Sequence, residues 1–313
     1  MLFYLFTLTF SVLSGGVIGE NGFKFYRNGK IVEDDVSQWR MLKWLHSPAG
    51  KATLLPFAIR PLVSKVFGLW CSSSMSSHLV EKEIKRANID LDEFIVPEGG
   101  FSSFNEFFIR KLRPGARKIS TSRKDIISPA DSKCIAILDV EKAKNIFIKD
   151  TSFDLTGFLC DSGLAKKYKN GAALIFRLSP YDYHRYHFPF DCTPMVARKV
   201  DGVLHSVSPI TYMSGIMPPV TNKRHISVLK TTKGDAVLIS VGALFVGKIV
   251  EEYSPELKYK KGDECGHFEF GGSTVVLIFE KDLCSLRMDL IKNSEKGFET
   301  EVKMGEPIAV FKG

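Results

Sequence analysis

The sequence predicts an α+β fold, with a helical N-terminal region followed by a mainly antiparallel β-rich domain. Three observations lead there. From about Met41 to Asp92, apolar residues recur at helical spacing. After residue 118, short strand-like runs recur, punctuated by Gly, Pro, Asn and Asp. Few of those runs are separated by helical patterns long enough for parallel crossovers.

The elements follow in order. Residues 2–18 carry no charge, and the first charge is Glu20. The run is barely long enough to span a bilayer and lacks the positive n-region of a signal peptide. It reads as a membrane anchor or an uncleaved hydrophobic leader, or else the start codon is wrongly assigned. Residues 20–36 are polar and turn-rich. Leu55, Ile59, Leu62, Val66 and Leu69 then share one face at helical spacing. Pro61 either kinks that segment or opens a helix as its first residue. The stripe serves a membrane surface or the core, and the sequence leaves both open. A second helix is expected over His78–Ala87. A third starts at the capping box Ser103-x-x-Glu106, with Phe104, Phe107, Phe108 and Leu112 as its stripe and Arg110, Lys111 and Arg113 near its end. Pro114-Gly115 stops it. Strands are expected at 134–140, 172–178, 226–229, 236–241, 244–249, 273–279 and 307–311. The chain thus divides into a hydrophobic leader and polar linker over 1–35, a helical membrane-associating region over 36–118, and a β-rich domain over 119–313.

Composition narrows the class. With 313 residues, 44% hydrophobic and 25% charged, the chain is an ordinary globular one, neither disordered nor multi-spanning. A net charge of +8 favours an anionic partner. An acidic membrane surface fits that charge as well as nucleic acid does, and no zinc-knuckle, helix-turn-helix or basic-aromatic signature raises the nucleic-acid option. The six cysteines are scattered without a C-x-x-C pair, which points to free thiols.

Four side chains can carry chemistry. Ser273 lies in Gly272-Ser273-Thr274, a small turn between strand-like runs. A serine hydroxyl can attack the preceding carbonyl and shift the acyl group from N to O. β-Elimination of that ester splits the backbone, and hydrolysis leaves a pyruvoyl group. Gly272 leaves the carbonyl unhindered, and a base must lie close by. Read alone, the stretch is a glycine-serine hairpin turn. His184 and His187 lie three apart. On a helix they would share a face, on a strand they would oppose each other, and in a bend both can reach one site. No third ligand stands at matching spacing, so no metal is expected. Asp131 follows a proline turn and is either turn chemistry or the acid that orients an imidazole.

Taken together, Phe104–Pro114, Ser128–Asp131, Leu178–His187, Val241–Gly247 and Phe270–Val276 resemble the phosphatidylserine decarboxylase family. The resemblance runs from about Phe101 to the C-terminus. It implies a self-cleaving proenzyme cut between Gly272 and Ser273, with Ser273 becoming a covalent pyruvoyl cofactor. Asp131, His187 and Ser273 match the self-cleavage triad, and His184 matches the histidine implicated in decarboxylation. The implied substrate is phosphatidylserine in an anionic membrane. The implied assembly is a heterodimer of β and α chains from one precursor, open to further oligomerisation, peripheral on the cytoplasmic face of the cell membrane. Ser132 stands where the family often has Gly, and Gly271 where a bulkier apolar residue is common. Two other readings remain: a serine hydrolase using Ser273, His187 and Asp131 without self-cleavage, and a related decarboxylase acting on a soluble amino acid.

Overall fold

The computed structural model describes residues 22–35, 39–141, 154–245, 247–270 and 273–312. The hydrophobic run 2–18, Gly271 and Gly272 lie outside the described residues.

The strands used below, in chain order, are β1 (Gly22–Arg27), β2 (Lys30–Asp35), β3 (Ser132–Ile137), β4 (Ala173–Leu178), β5 (Arg185–His187), β6 (Arg198–Val200), β7 (Arg224–Lys230), β8 (Asp235–Val241), β9 (Lys248–Glu251), β10 (Glu264–Glu269), β11 (Ser273–Phe279) and β12 (Glu299–Val302). The main sheet runs β6-β7-β8-β11-β4-β3-β12-β1-β2. Every pair in that order is antiparallel except β12 with β1, which is parallel. The predicted α+β class, mainly antiparallel, is what forms.

Strand alternation builds two cores from one sheet. Cys134, Phe176, Val275, Leu277 and Leu238 face one way, against Tyr186 and Phe268 of a second sheet ordered β9-β10-β5 and against Phe188 just beyond β5. Ile135, Ile175, Val276, Ile278 and Val237 face the other way, under the helices Leu155–Leu159 and Ser162–Tyr168. Burial on both faces explains why β4 and β11 read as continuous apolar runs.

Three expectations need correction. Residues 22–35 are not a linker: β1 and β2 form a hairpin around Asn28 and Gly29, both at positive φ, and extend the main sheet. The helix begun at Ser103 stops at Phe108, and Lys111–Leu112 instead pairs with Phe94–Ile95 as a short ribbon. The strand expected over 244–249 starts late, at Lys248, because Phe245 takes a positive φ in a turn. Elsewhere the pattern holds. Pro61 opens the helix Pro61–Cys71 at its first residue, and His78–Ala87 is helical with the expected limits. Among the described residues no helix is long and apolar enough to cross a membrane. All six cysteines are free.

Candidate active site

Ser273 is the first residue of β11, clamped between β4 and β8. It pairs with Leu178, and the next residue, Thr274, pairs with Arg177 and Val241. Ser273 is fully buried, and its Oγ has no hydrogen-bond partner among the described residues. An unsatisfied buried hydroxyl costs roughly 1–3 kcal/mol, so the position suits a group that reacts away.

The approach to Ser273 is built from aromatic rings. Phe270 packs edge-on against Phe104 at 5.0 Å and also meets Phe108 and Phe67, each at 5.3 Å. Its backbone N–H donates to Asn105 Oδ1 at 3.2 Å. The short helix Phe104–Phe108 therefore grips the chain immediately before the Gly-Gly-Ser run. Its N-terminus is capped as predicted, with Glu106 N donating to Ser103 Oγ. The Glu106 carboxylate turns back to Ser102 instead of Ser103.

His184 is fully buried and lies on the Phe108 ring, centroids 3.8 Å apart. Its Nδ1 donates to the Asp182 carbonyl at 2.8 Å, which fixes the tautomer with the proton on Nδ1. The turn before it is tied by Asp182 N to the Ser179 carbonyl and by Ser179 N to Asp182 Oδ2. Arg110 holds that turn from outside. It is buried among Phe94 and Phe107 and donates to the carbonyls of Tyr181 and Asp182. Desolvation lowers its pKa to about 10, so it remains a cation. Arg110 lies beyond the helix, which ends at Phe108, and not in the helix terminus its spacing predicts. Its role in the turn is a tertiary contact that spacing does not reveal.

His187 closes β5 and is also buried. Its Nδ1 donates to the Gly262 carbonyl at 2.9 Å, so its Nε2 lone pair accepts from Tyr183 Oη at 3.0 Å. Burial pushes the imidazole below its ordinary pKa, so it is neutral at pH 7. Tyr186 and Phe188 enter the core between the sheets, so strand alternation turns His187 to the other side.

The Ser128–Asp131 stretch lies beside this strand, with His187 N donating to the Pro129 carbonyl at 2.8 Å. Asp131 is nevertheless occupied elsewhere. It accepts from Arg117 Nη2 at 2.6 Å and from the backbone N–H of Met304 at 2.8 Å, with Lys303 at 3.6 Å. Burial would raise its carboxyl, but Arg117 and Lys303 outweigh it and hold it below the usual range. The Ser128–Asp131 stretch therefore meets the His187 segment through the Pro129 carbonyl, while the Asp131 carboxylate is bonded to Arg117. Ser132 opens β3 without positive φ, so no glycine is required there.

A buried charge network underlies the whole motif. Lys133 Nζ lies 2.9 Å from Asp182 Oδ2 and 3.1 Å from Tyr181 Oη. Arg177 pairs with Glu299 at 2.5 Å and with Asp34 at 3.1 Å, while Tyr181 Oη and Ser179 Oγ both donate to Asp34. The motif chemistry does not single out Asn105, Arg110, Arg117, Tyr183 or Asp34. Only Asn105, Arg110 and Tyr183 fall within the motif stretches.

Residues 104–310 match the family model described as Phosphatidylserine decarboxylase. The chain is 38% identical over 282 residues to a phosphatidylserine decarboxylase proenzyme of Fusobacterium nucleatum, covering 90% of this chain and 94% of that one. It is 39% identical to the proenzyme of Clostridium novyi, over 91% of this chain and 97% of the other. It is 37% identical to that of Chlamydia pneumoniae, over 89% and 93%. An alignment of 282 residues extends well upstream of Phe101, where the motif resemblance began. The chain belongs to the phosphatidylserine decarboxylase family.

Proposed function

We propose that this protein is made as a proenzyme that cleaves itself between Gly272 and Ser273 and then decarboxylates phosphatidylserine to phosphatidylethanolamine. The observation that carries the reading is Ser273 itself. A fully buried hydroxyl without a hydrogen-bond partner among the described residues heads an interior strand in a chain of this family. The residues present fit a pyruvoyl group at that position. Bound there, its conjugated carbonyl would supply an electron sink for the pair left by departing CO2.

The protein's own residues do the rest. His187, neutral and with Nδ1–H fixed on Gly262, can take a proton at Nε2 during cleavage, with Tyr183 as the adjacent hydroxyl. Asp131, kept ionised by Arg117, favours the protonated imidazole by charge rather than by a hydrogen bond. His184, oriented by Asp182 and seated on Phe108, is the group assigned to return a proton to carbon in turnover. Asn105 and Phe108 position the segment that enters the cleavage site.

The substrate reaches the site from a membrane surface. Leu62, Val66 and Leu69 project from the helix Pro61–Cys71, and Phe57 and Met75 are exposed beside it. The other side of that helix packs Phe67 on Phe245 and Phe270, next to the site. This arrangement supports peripheral membrane association and a lipid over a soluble amino acid. A serine hydrolase acting on external substrate is disfavoured, because Ser273 is enclosed in the sheet and His187 is bonded to Tyr183.

Intact-mass analysis of purified active protein tests the reading. Two chains are expected, one ending at Gly272 and one beginning at residue 273 without a free amine. Ser273→Ala is expected to leave one chain and no decarboxylation of phosphatidylserine vesicles. An active preparation containing only the uncleaved chain would refute it.

A further inference from the structure

Strand β10 leads toward Ser273, and its pairing with β5 is irregular. Glu264 pairs with His187 but Gly266 pairs with Tyr186, so one extra residue, Cys265, is inserted between them. In a regular strand, residues three apart face opposite sides. The bulge resets the alternation and brings Glu264 and His267 to one side. Opposite the bulge, Glu252 N donates to the Cys265 carbonyl at 2.9 Å, which adds a third side chain. One ligand atom from each of Glu252, Glu264 and His267 lies within 4.8 Å of the others.

His267 forms the floor of this cluster, its side chain only 8% exposed. Its Nδ1 is 3.0 Å from Glu252 Oε1 but not aligned for a hydrogen bond, and it has no hydrogen-bond partner among the described residues. The contact is an ion pair when the imidazole is protonated; when it is neutral with the proton on Nε2, the two atoms are lone-pair donors that a cation can bridge. The other ring nitrogen, Nε2, faces Glu269 Oε1 at 4.0 Å, the kind of outer carboxylate that orients a metal-bound imidazole. Lys248 neutralises Glu269. Arg185 binds Glu264 Oε1 and leaves the second carboxylate oxygen available, though its charge weakens the site for cations.

We propose that Glu252, Glu264 and His267 bind a divalent transition-metal ion of the Zn2+ class. One imidazole nitrogen and two carboxylate oxygens suit Zn2+ better than Mg2+ or Ca2+, and water completes the coordination. The ion would pin the end of β9 to the bulge of β10, upstream of Ser273. It takes no part in the chemistry at Ser273.

Calorimetric titration of the purified full-length protein with ZnCl2 tests this, with a readout separate from decarboxylation. Saturable binding of about one ion per protein is expected. Glu252→Gln, at a partly exposed residue whose loss leaves the fold intact, is expected to weaken it at least about tenfold. His78→Asn, which removes an exposed histidine elsewhere, is expected to leave it unchanged. Absence of saturable binding at millimolar Zn2+ would overturn the proposal, as would unchanged affinity in Glu252→Gln. Displacement of Zn2+ by equimolar Mg2+ would overturn the assigned ion class.

Discussion

His187 has one defined tautomer, because a carbonyl can only accept and Gly262 therefore fixes the proton on Nδ1. Burial depresses its pKa below the usual histidine value, so the base form persists to lower pH. Self-cleavage should accordingly be flat through neutral pH and fall only below about pH 6.5, as the imidazole gains its proton. Time courses of cell-free synthesised precursor at graded pH check this. His187→Ala should slow cleavage by about 10²- to 10⁴-fold, the usual contribution of a positioned base. Normal maturation of that variant would remove His187 from the proposed triad. Ser273, His184, His187 and Asp131 were all legible as motif residues. That Asp131 bonds to Arg117 was not, because Arg117 lies outside every motif stretch and the pair meets only in the folded chain.

The helix Pro61–Cys71 illustrates how far periodicity reaches. The spacing correctly placed Leu62, Val66 and Leu69 on one face, but a stripe does not say which way it points. In the structure Leu62 is 70% and Leu69 67% exposed, while Leu55, upstream of Pro61, is buried. The proline splits the predicted stripe into a buried part and an outward part. Burying one leucine is worth about 1.5–3 kcal/mol. Leu62→Glu or Leu69→Glu should therefore lower partitioning onto phosphatidylserine-containing vesicles about tenfold or more in a co-sedimentation assay. Self-cleavage should be unaffected, since neither residue touches the site. The β1–β2 hairpin is the converse case. Asn28-Gly29 between Phe23, Phe25, Ile31 and Val32 is a strong local hairpin signal, yet the many charged residues around it made the stretch read as linker.

Across the whole molecule, the N-terminal hairpin and the C-terminal segment meet the His184 motif through buried charge. Asp34 from β2 contacts Arg177, Ser179 and Tyr181, and Arg177 also holds Glu299 of β12. Burial would raise the Asp34 carboxyl, but Lys133 and Arg177 outweigh it and hold it at about 2. A carboxyl depressed from 3.8 to about 2 stabilises the fold by roughly 2 kcal/mol above pH 4, and this is lost as pH falls through 2. Asp34→Asn should cost about that much at pH 7 and progressively less toward pH 2, as read from urea unfolding midpoints. Equal losses at all pH values would show that shape, not charge, is what Asp34 supplies. The same architecture locks the segment that begins at Ser273 in place, because β11 is bonded on both sides, to β4 and β8.

Local features were readable from the chain alone: most helices and strands, the capped helix at Ser103, and the motif stretches that hold Ser273 and its candidate partners. These depend on residue type and on spacing over a few positions, which sequence records directly. Side-chain direction and partnership were settled by the fold. The outward face of Pro61–Cys71, the Arg117 bond to Asp131, the grip of Asn105 on Phe270 and the union of Asp34 with Arg177 join residues far apart in the chain. Such contacts depend on sheet order, register and burial, and no local pattern encodes them.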